Sequence, residues 1–278
     1  MRTTPVRLAL SGALVAIVFS AALSASHSWG GYHWARTTSQ FTLKLADNMT
    51  SADWKSHLSQ ASSDWNSGNS AVLTAIVPGR SSNKRCAMVA GTTQVCNGTY
   101  GSNGWLGLAS INLASGTLHI TQGSAKMNDT YFNTATYNNP NERQHVVCQE
   151  VAHTFGLDHQ STDGSSQNSC MDYFSNTGAN ATSTLSTRPN QHDFDELNII
   201  YAHLDSTTTV AAQASLTAVA SAVSDDQNTW GQLVSQSQNG RSSTYERYEH
   251  DGSKTVTHVY WTVEATANCP SCDHRYDR

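Results

Sequence analysis

The stretch from Gln149 to His159 combines side chains that bind metals with one that can transfer protons. Gln149 and His153 are four residues apart, so on a helix they lie on one face about 6 Å apart and suit a single metal ion. Glu150, rotated by about 100° around the axis, can reach a water on that metal without binding the metal itself. Gly156 can adopt a left-handed conformation that ends the helix and brings His159 back as a third ligand. Three protein ligands and one open position are typical of a catalytic zinc site.

A second element is the run 169–173, Ser-Cys-Met-Asp-Tyr, in which Met171 lies twelve residues beyond His159. Together the two stretches resemble the metzincin zinc metallopeptidases of the matrixin or astacin kind, in which H-E-x-x-H-x-x-G-x-x-H precedes a Met-turn. The resemblance covers roughly residues 40 to 205 and implies a zincin-type fold, a Zn²⁺ cofactor and peptide-bond hydrolysis. It also implies that Met171 lies beneath the metal and that Tyr173 stabilises the oxyanion of the tetrahedral intermediate. The run 106–109, Leu-Gly-Leu-Ala, resembles the sheet edge that pairs with extended substrate in this family.

The sequence departs from the family pattern at the first ligand, where Gln149 replaces a histidine. In the interpretation we favour, the Gln149 side-chain oxygen binds zinc together with His153 and His159, although an amide is a weaker donor than imidazole. Alternatively, His145 supplies the ligand after a helix distortion, because it lies one turn earlier and about 6 Å further along the axis. In a third interpretation the site is degenerate and the protein is a non-catalytic binder. The retention of Glu150 argues against such decay.

The favoured function is a secreted zinc-dependent endopeptidase in which Glu150 is the general base for a metal-activated water. Tyr173 would share the charge of the oxyanion. The alternative is a non-catalytic secreted peptide-binding protein on a metzincin scaffold. A protein or peptide is the expected partner, whereas nucleic acid is excluded because only 13% of residues are charged, the net charge is -5 and no basic stripe occurs.

The elements that must position these residues follow from hydrophobic periodicity and from cap and turn signals. Strands are predicted at residues 39–46, 71–77 (buried), 105–113 and 117–127. Helices are predicted at residues 53–66, from Asn139-Pro140 through His153 to Gly156, and at 189–205, the last with Leu204 on its apolar face. This order predicts an α+β fold in which an active-site helix and a C-terminal helix pack on a mixed twisted sheet.

The character of the chain changes after residue 205. We therefore expect a metzincin-like catalytic domain at 27–205 and a C-terminal extension at 206–278. Residues 206–226 suggest a linker or a modest helix. Asp251-Gly252 is a strong hairpin signal, and the run 255–261 after it is strand-like because it is rich in β-branched and aromatic residues.

Residues 1–26 are predicted to be a secretory signal peptide. Arg2 and Arg7 form a short basic region, and an almost unbroken apolar run from Leu8 to Ala25 follows it and ends in small residues. The alternative is an uncleaved membrane anchor, since the run approaches the length that spans a bilayer. No other stretch of the sequence has that character, so we expect an extracellular protein without membrane contact after cleavage.

The six cysteines fit an oxidising compartment, and their spacing suggests local disulfides among fifteen possible connectivities. The suggested pairs are Cys86 with Cys96, Cys148 with Cys170, and Cys269 with Cys272. The second pair would pin the Met-turn loop to the active-site helix, and the last pair, followed by His274, could instead bind metal. The other histidines have no clear partner at ligand spacing and are expected to be surface or satisfied polar residues. They are His27, His33, His57, His119, His192, His203, His250, His258 and His274.

Overall fold

The structure is a computed structural model that describes residues 27–79, 82, 84–161, 163–210 and 226–276. The predicted signal peptide and most of the predicted linker at 206–226 lie outside the described residues. Within the described part, no helix is long and apolar enough to cross a membrane.

One mixed β-sheet forms the framework, and in the described part of the chain it contains nine strands. The strands are β1 (His33–Trp34), β2 (Phe41–Asn48), β3 (Val72–Pro78), β4 (Thr92–Gly98), β5 (Trp105–Leu113), β6 (His119–Asn128), β7 (Gln232–Gln236), β8 (Ser242–Tyr248) and β9 (Lys254–Trp261). Across the sheet the order is β3-β2-β4-β6-β5-β9-β8-β7, with β1 beside the start of β6. Pairs from β3 to β6 are parallel, and pairs from β6 to β7 are antiparallel.

Two of the helices pack against each other and against the sheet. The helices of the described residues are α1 (Ala52–Trp65), α2 (Asp129–Phe132), α3 (Pro140–His153), α4 (Gln191–Ile200) and α5 (Val263–Thr266). Helix α1 buries Trp54, Leu58 and Trp65 at the predicted helical spacing, and Ser51 caps its start by accepting from the Trp54 amide. Helix α3 contacts α1, β5 and β6. The apolar core between these elements therefore holds α3 in place.

The predicted α+β class and mixed sheet are confirmed, but two elements differ from their predictions. Helix α4 ends at Ile200 instead of residue 205, and Leu204, expected on its apolar face, is exposed. The chain leaves the helix because the amide of Asp205 donates to the carbonyl of Arg36 and not to a carbonyl of the preceding helical turn. Strand β3, predicted to be buried, lies at the sheet edge with Ile76 exposed.

The predicted C-terminal hairpin is present as β8 and β9, and it joins the sheet through β5. Gly252 in its turn has a φ of +81°, a conformation that favours glycine. Strand β9 runs antiparallel to β5, with His258 opposite Ala109 and Val259 opposite Leu108. The hairpin therefore lies along the run 106–109, the predicted substrate-binding edge.

Candidate metal centre

Helix α3, the predicted active-site helix, has local sequence signals at both ends. At its start Asn139 accepts a hydrogen bond from the Glu142 amide, and Pro140 occupies the first turn, where a missing amide hydrogen is harmless. Shortly after its end, Gly156 adopts a φ of +98°. A Cβ on Gly156 would lie 1.9 Å from the Tyr32 carbonyl oxygen. The predicted left-handed turn is therefore present and requires glycine.

This turn returns the chain so that His159 lies beside His153, with ring centroids 4.6 Å apart. His153 Nδ1 donates to the Leu157 carbonyl over 2.8 Å, which leaves Nε2 with a free lone pair. His159 Nδ1 lies 3.3 Å from Asp158 Oδ1. Each ring is held through one nitrogen and offers the other, as in metal-binding histidines.

A third histidine, His258 of β9, joins these two. In the described residues His153, His159 and His258 form a group whose potential ligand atoms all lie within 4.8 Å of one another, and we call it the inner cluster. His258 Nε2 lies 3.0 Å from Ser242 Oγ on β8, which leaves Nδ1 available. The expectation that His258 is a surface or satisfied polar residue is wrong. The pairing of β9 with β5 buries it opposite Ala109, and no local spacing in the sequence signals that pairing.

Gln149 lies on α3 one turn before His153. Its amide nitrogen donates hydrogen bonds to the run 169–173, which we call the Met-turn loop. The nitrogen donates to the carbonyl oxygens of Cys170 and Asp172, each over 2.8 Å. Because only the nitrogen of an amide can donate to a carbonyl, these bonds fix the orientation of the side chain. The oxygen, Oε1, is buried without a hydrogen-bond partner among the described residues, so it could bind a metal.

The alternative ligand, His145, stays outside the inner cluster of the described residues. Its Nδ1 lies 3.2 Å from Asn176 Oδ1, and its Nε2 lies 3.2 Å from Gln149 Nε2. Its ring stacks on Tyr260 of β9. The histidine that lies beside His153 and His159 is therefore His258 of β9, and not His145 of α3.

Four buried atoms of Gln149 and the inner cluster have no hydrogen-bond partner in the part of the chain that the structure describes. They are Gln149 Oε1, His153 Nε2, His159 Nε2 and His258 Nδ1, and we call them the free donors. A buried polar atom left without a partner costs about 1–3 kcal/mol. Neutral imidazole nitrogens with a second nitrogen held by the protein are the usual ligands of zinc. The three histidines of the inner cluster therefore fit a zinc ion.

Burial keeps the imidazoles of the inner cluster neutral. It lowers the pKa of His153 to about 4. Burial, together with the neighbouring His153, lowers the pKa of His159 and of His258 well below the ordinary range. A neutral imidazole has the lone pair that a metal requires. Burial also raises the pKa of Glu150 well above its ordinary value, and a divalent cation nearby would favour the carboxylate again.

The carboxylate of Glu150 is fully buried beside the inner cluster. Its Oε2 lies 3.7 Å from His258 Nδ1. Strand β5 comes so close that a Cβ on Gly107 would lie 2.3 Å from Glu150 Oε1. Neither carboxylate oxygen has a hydrogen-bond partner among the described residues. The predicted general base therefore lies in a space closed by β5 and β9.

The Met-turn loop is fastened to α3 and reaches the inner cluster. All three suggested disulfides occur in the structure, so the last pair offers no thiolate for the alternative metal site: Cys86–Cys96, Cys148–Cys170 and Cys269–Cys272. Met171 is fully buried. Tyr173 stacks on His159 with ring centroids 4.0 Å apart and donates its hydroxyl hydrogen to Ser242 Oγ over 2.8 Å. The hydroxyl of Tyr173 is therefore engaged by the C-terminal hairpin.

No protein-family model matches the chain, and no curated protein matches it. Among solved structures, high choriolytic enzyme 1, a hatching enzyme zinc-protease from Oryzias latipes (medaka fish), is similar with a TM-score of 0.35 and 11% identity. That match covers 63% of this chain and 96% of the other. Myroilysin is similar with a TM-score of 0.34 and 14% identity, over 62% of this chain and 83% of the other. At such low similarity, the chemistry has to come from this chain's own residues.

Proposed function

We propose that this protein is a secreted zinc-dependent peptide hydrolase whose catalytic zinc is bound by Gln149, His153 and His159. The observation that carries the proposal is the buried, neutral inner cluster beside the buried carboxylate of Glu150. A satisfied core histidine has hydrogen-bond partners at both ring nitrogens. Each histidine of the inner cluster has a partner at one nitrogen and none at the other, which is therefore available to a metal. The three disulfides fit an extracellular location, and the substrate is a protein or peptide.

The roles of the residues follow from their positions. When bound, zinc would polarise the scissile carbonyl and lower the pKa of a water molecule. Glu150 takes a proton from the attacking water and delivers it to the leaving amine. Tyr173, stacked on His159, donates a hydrogen bond to the oxyanion after its bond to Ser242 breaks.

The hairpin has to move for this reaction, and this movement is part of the proposal. Four protein donors would complete the coordination of zinc, whereas a catalytic site keeps one position for water. His258 is the donor that comes from outside α3 and its turn, and its Nδ1 lies 3.7 Å from Glu150 Oε2. His258 therefore occupies the space that a water activated by Glu150 needs. Because β9 also pairs with β5, its departure would open both the metal and the strand edge.

Zinc content and casein hydrolysis, measured on the same samples of the chain, test the proposal. His153→Ala is expected to lose about one zinc per chain relative to wild type, together with all hydrolysis. Glu150→Gln is expected to keep the zinc and lose hydrolysis, because the amide cannot accept the proton. Gln149→His is expected to bind zinc more tightly, because imidazole is the stronger donor.

His258→Ala tests the movement of the hairpin. We expect this variant to keep its catalytic zinc and hydrolyse casein faster than wild type, while His250→Ala, an exposed histidine of the same hairpin, changes neither quantity. Loss of zinc from His258→Ala would make His258 a permanent ligand and refute the movement. If wild type and His258→Ala both lack this zinc and leave casein intact, the non-catalytic peptide-binding protein replaces the hydrolase.

A further inference from the structure

A second group of histidines forms where the two ends of the predicted catalytic domain meet. The parallel pairing of β1 with β6 places His33 opposite His119. The segment after α4 adds His203 and Asp205, since the Asp205 amide donates to the Arg36 carbonyl. These residues are far apart in the sequence, so no ligand spacing marks them as a group. The exposure of His203 and the hydrogen bonds of His33 and His119 agree with the expectation of surface or satisfied polar residues.

The donor atoms of this group are already spaced as ligands of one ion. Among the described residues His33, His203 and Asp205 are a potential metal-binding group, which we call the outer cluster. His33 Nε2 lies 3.2 Å from His203 Nε2. Asp205 Oδ1 lies 3.6 Å from each of these nitrogens. Ligands of tetrahedral zinc, with bonds of about 2.0–2.1 Å, lie about 3.3 Å apart, which is close to these distances.

The surroundings orient these atoms toward a shared point. His33 Nδ1 lies 2.7 Å from the Gly31 carbonyl oxygen, so it carries the hydrogen and leaves the Nε2 lone pair free. Asp205 Oδ2 accepts from the Arg36 amide over 3.0 Å. His119 Nε2 lies 3.1 Å from Asp205 Oδ1 and can hold the carboxylate in position. Such supporting contacts are characteristic of metal ligands.

An ion can reach the outer cluster from solvent. A cavity of about 730 Å³ is lined by His33, His119 and His203, together with Leu118 and Ile199. The side chain of His203 is 56% exposed, whereas that of Asp205 is 9% exposed. The cluster therefore combines a nearly buried carboxylate with room for a water molecule as a fourth ligand.

We propose that the outer cluster binds a second zinc ion through His33 Nε2, His203 Nε2 and Asp205 Oδ1, with His119 positioning the carboxylate. The preference for zinc follows from a donor set of two imidazoles and one carboxylate. The ion fastens the segment after α4 to β1. Just before β1, Trp29 donates its amide hydrogen to the Gly156 carbonyl and stacks on His153 with centroids 4.9 Å apart. The outer zinc therefore stabilises the segment that covers the inner cluster.

The competing explanation needs no metal. His203 Nε2 could donate a hydrogen to His33 Nε2, and the carboxylate of Asp205 could balance a proton on either ring. The two explanations differ in what Zn²⁺ alone does to the protein. A zinc site loses its ion when one ligand is removed, whereas a proton-bridged pair binds no ion with or without that ligand.

Zinc stoichiometry of the chain, loaded with Zn²⁺ and freed of excess by gel filtration without an affinity tag, tests the proposal. The His153→Ala variant removes a ligand of the inner cluster and is expected to retain about one zinc per chain. Adding His203→Ala to it is expected to abolish the remaining zinc. Asp205→Asn, which keeps the shape of the side chain, is expected to do the same. Adding His250→Ala is the matched control, because it removes an exposed histidine outside both clusters.

Melting temperature supplies a second readout. Zn²⁺ is expected to raise the melting temperature of His153→Ala and not that of the variant that also carries His203→Ala. A zinc-free His153→Ala protein, or equal zinc in the two variants, would overturn the outer site. Neither result depends on casein hydrolysis. Failure of the outer site is therefore distinguishable from failure of the proposed hydrolase. If the proposed hydrolase fails, His153→Ala and wild type contain the same amount of zinc.

Discussion

The inner and outer clusters bring histidines together in opposite environments. The inner cluster consists of three buried histidines beside Glu150, and burial keeps their rings neutral. The outer cluster includes its own carboxylate, Asp205, and opens to solvent through His203. In the inner cluster the second nitrogen of each ring therefore needs an ion as its partner, whereas the outer side chains can satisfy one another.

This difference separates what a metal does at each place. Removing an ion from the inner cluster leaves the free donors buried, and a buried polar atom without a partner is costly. Removing an ion from the outer cluster allows a proton to take its place between His33 and His203. We therefore expect the inner ion to matter more for stability, and the outer ion to matter for the geometry of the segment around β1.

The largest expected effect is that of chelation on the free energy of unfolding. In His203→Ala, which leaves the inner site intact, EDTA should reduce this free energy by about 4 kcal/mol, as expected for an ion present at a thousandfold its dissociation constant. In His153→Ala the same treatment should reduce it by about 1 kcal/mol, because the outer donors pair with each other. Urea unfolding with and without EDTA measures both values. Equal losses would remove the distinction between the clusters.

The next effect concerns the Cys148–Cys170 disulfide, which joins the loop containing Met171 to α3. Replacing Cys148 and Cys170 by alanine should reduce the free energy of unfolding by about 3 kcal/mol, because the bridge closes a loop of 22 residues. It should also weaken zinc binding at the inner cluster, since Gln149 donates to the Cys170 carbonyl. Zinc titration should find the outer cluster unchanged.

The matched control is the short bridge between Cys269 and Cys272, with a separation of 3 residues. Its removal should change stability less and leave the inner zinc in place, because it closes a much smaller loop. An inner zinc affinity that is insensitive to the longer bridge would show that the Met-turn loop does not position Gln149.

Two glycines with positive φ sharpen the comparison further. Gly156→Ala places a Cβ 1.9 Å from the Tyr32 carbonyl oxygen. Gly116 lines the cavity beside the outer cluster, and a Cβ there meets no atom within 4 Å among the described residues. Both substitutions carry the backbone strain, so their difference isolates the close contact. We expect Gly156→Ala to be less stable than Gly116→Ala by about 2 kcal/mol in urea unfolding. Equal stabilities would mean that the turn before His159 tolerates a side chain.

The smallest expected effect is that of His119→Ala. His119 contacts Asp205 without belonging to the outer cluster, so its loss should weaken zinc binding there by about tenfold. Global stability should change by less than about 1 kcal/mol, because the side chain is part-exposed. Zinc titration in the His153→Ala background measures the affinity. His57→Ala, a part-buried histidine on α1, is the control and should leave the affinity unchanged.

Much of the framework could be predicted because its signals are local. The run 105–113 is a strand with the predicted bounds, and the Asp251-Gly252 turn forms the predicted hairpin. The prediction for α4 is too long because the apolar spacing continues to Leu204, whereas hydrogen bonds to residues 35–36 turn the chain away from the helix after Ile200. Hydrophobic periodicity indicates which residues can share one face of a helix. It does not indicate which distant residues form hydrogen bonds with the helix end.

The sequence by itself determined the arrangement of Gln149, Glu150 and His153 on α3, because helical geometry fixes the positions of side chains three and four residues apart. It also determined the turn at Gly156, where a left-handed backbone requires glycine. Only the tertiary structure decided that His258 lies beside them, and that His33, His203 and Asp205 meet. The first contact arises from pairing β9 with β5, and the second from the hydrogen bond between the Asp205 amide and the Arg36 carbonyl beside β1. Contacts between such distant segments leave no fixed spacing in the sequence.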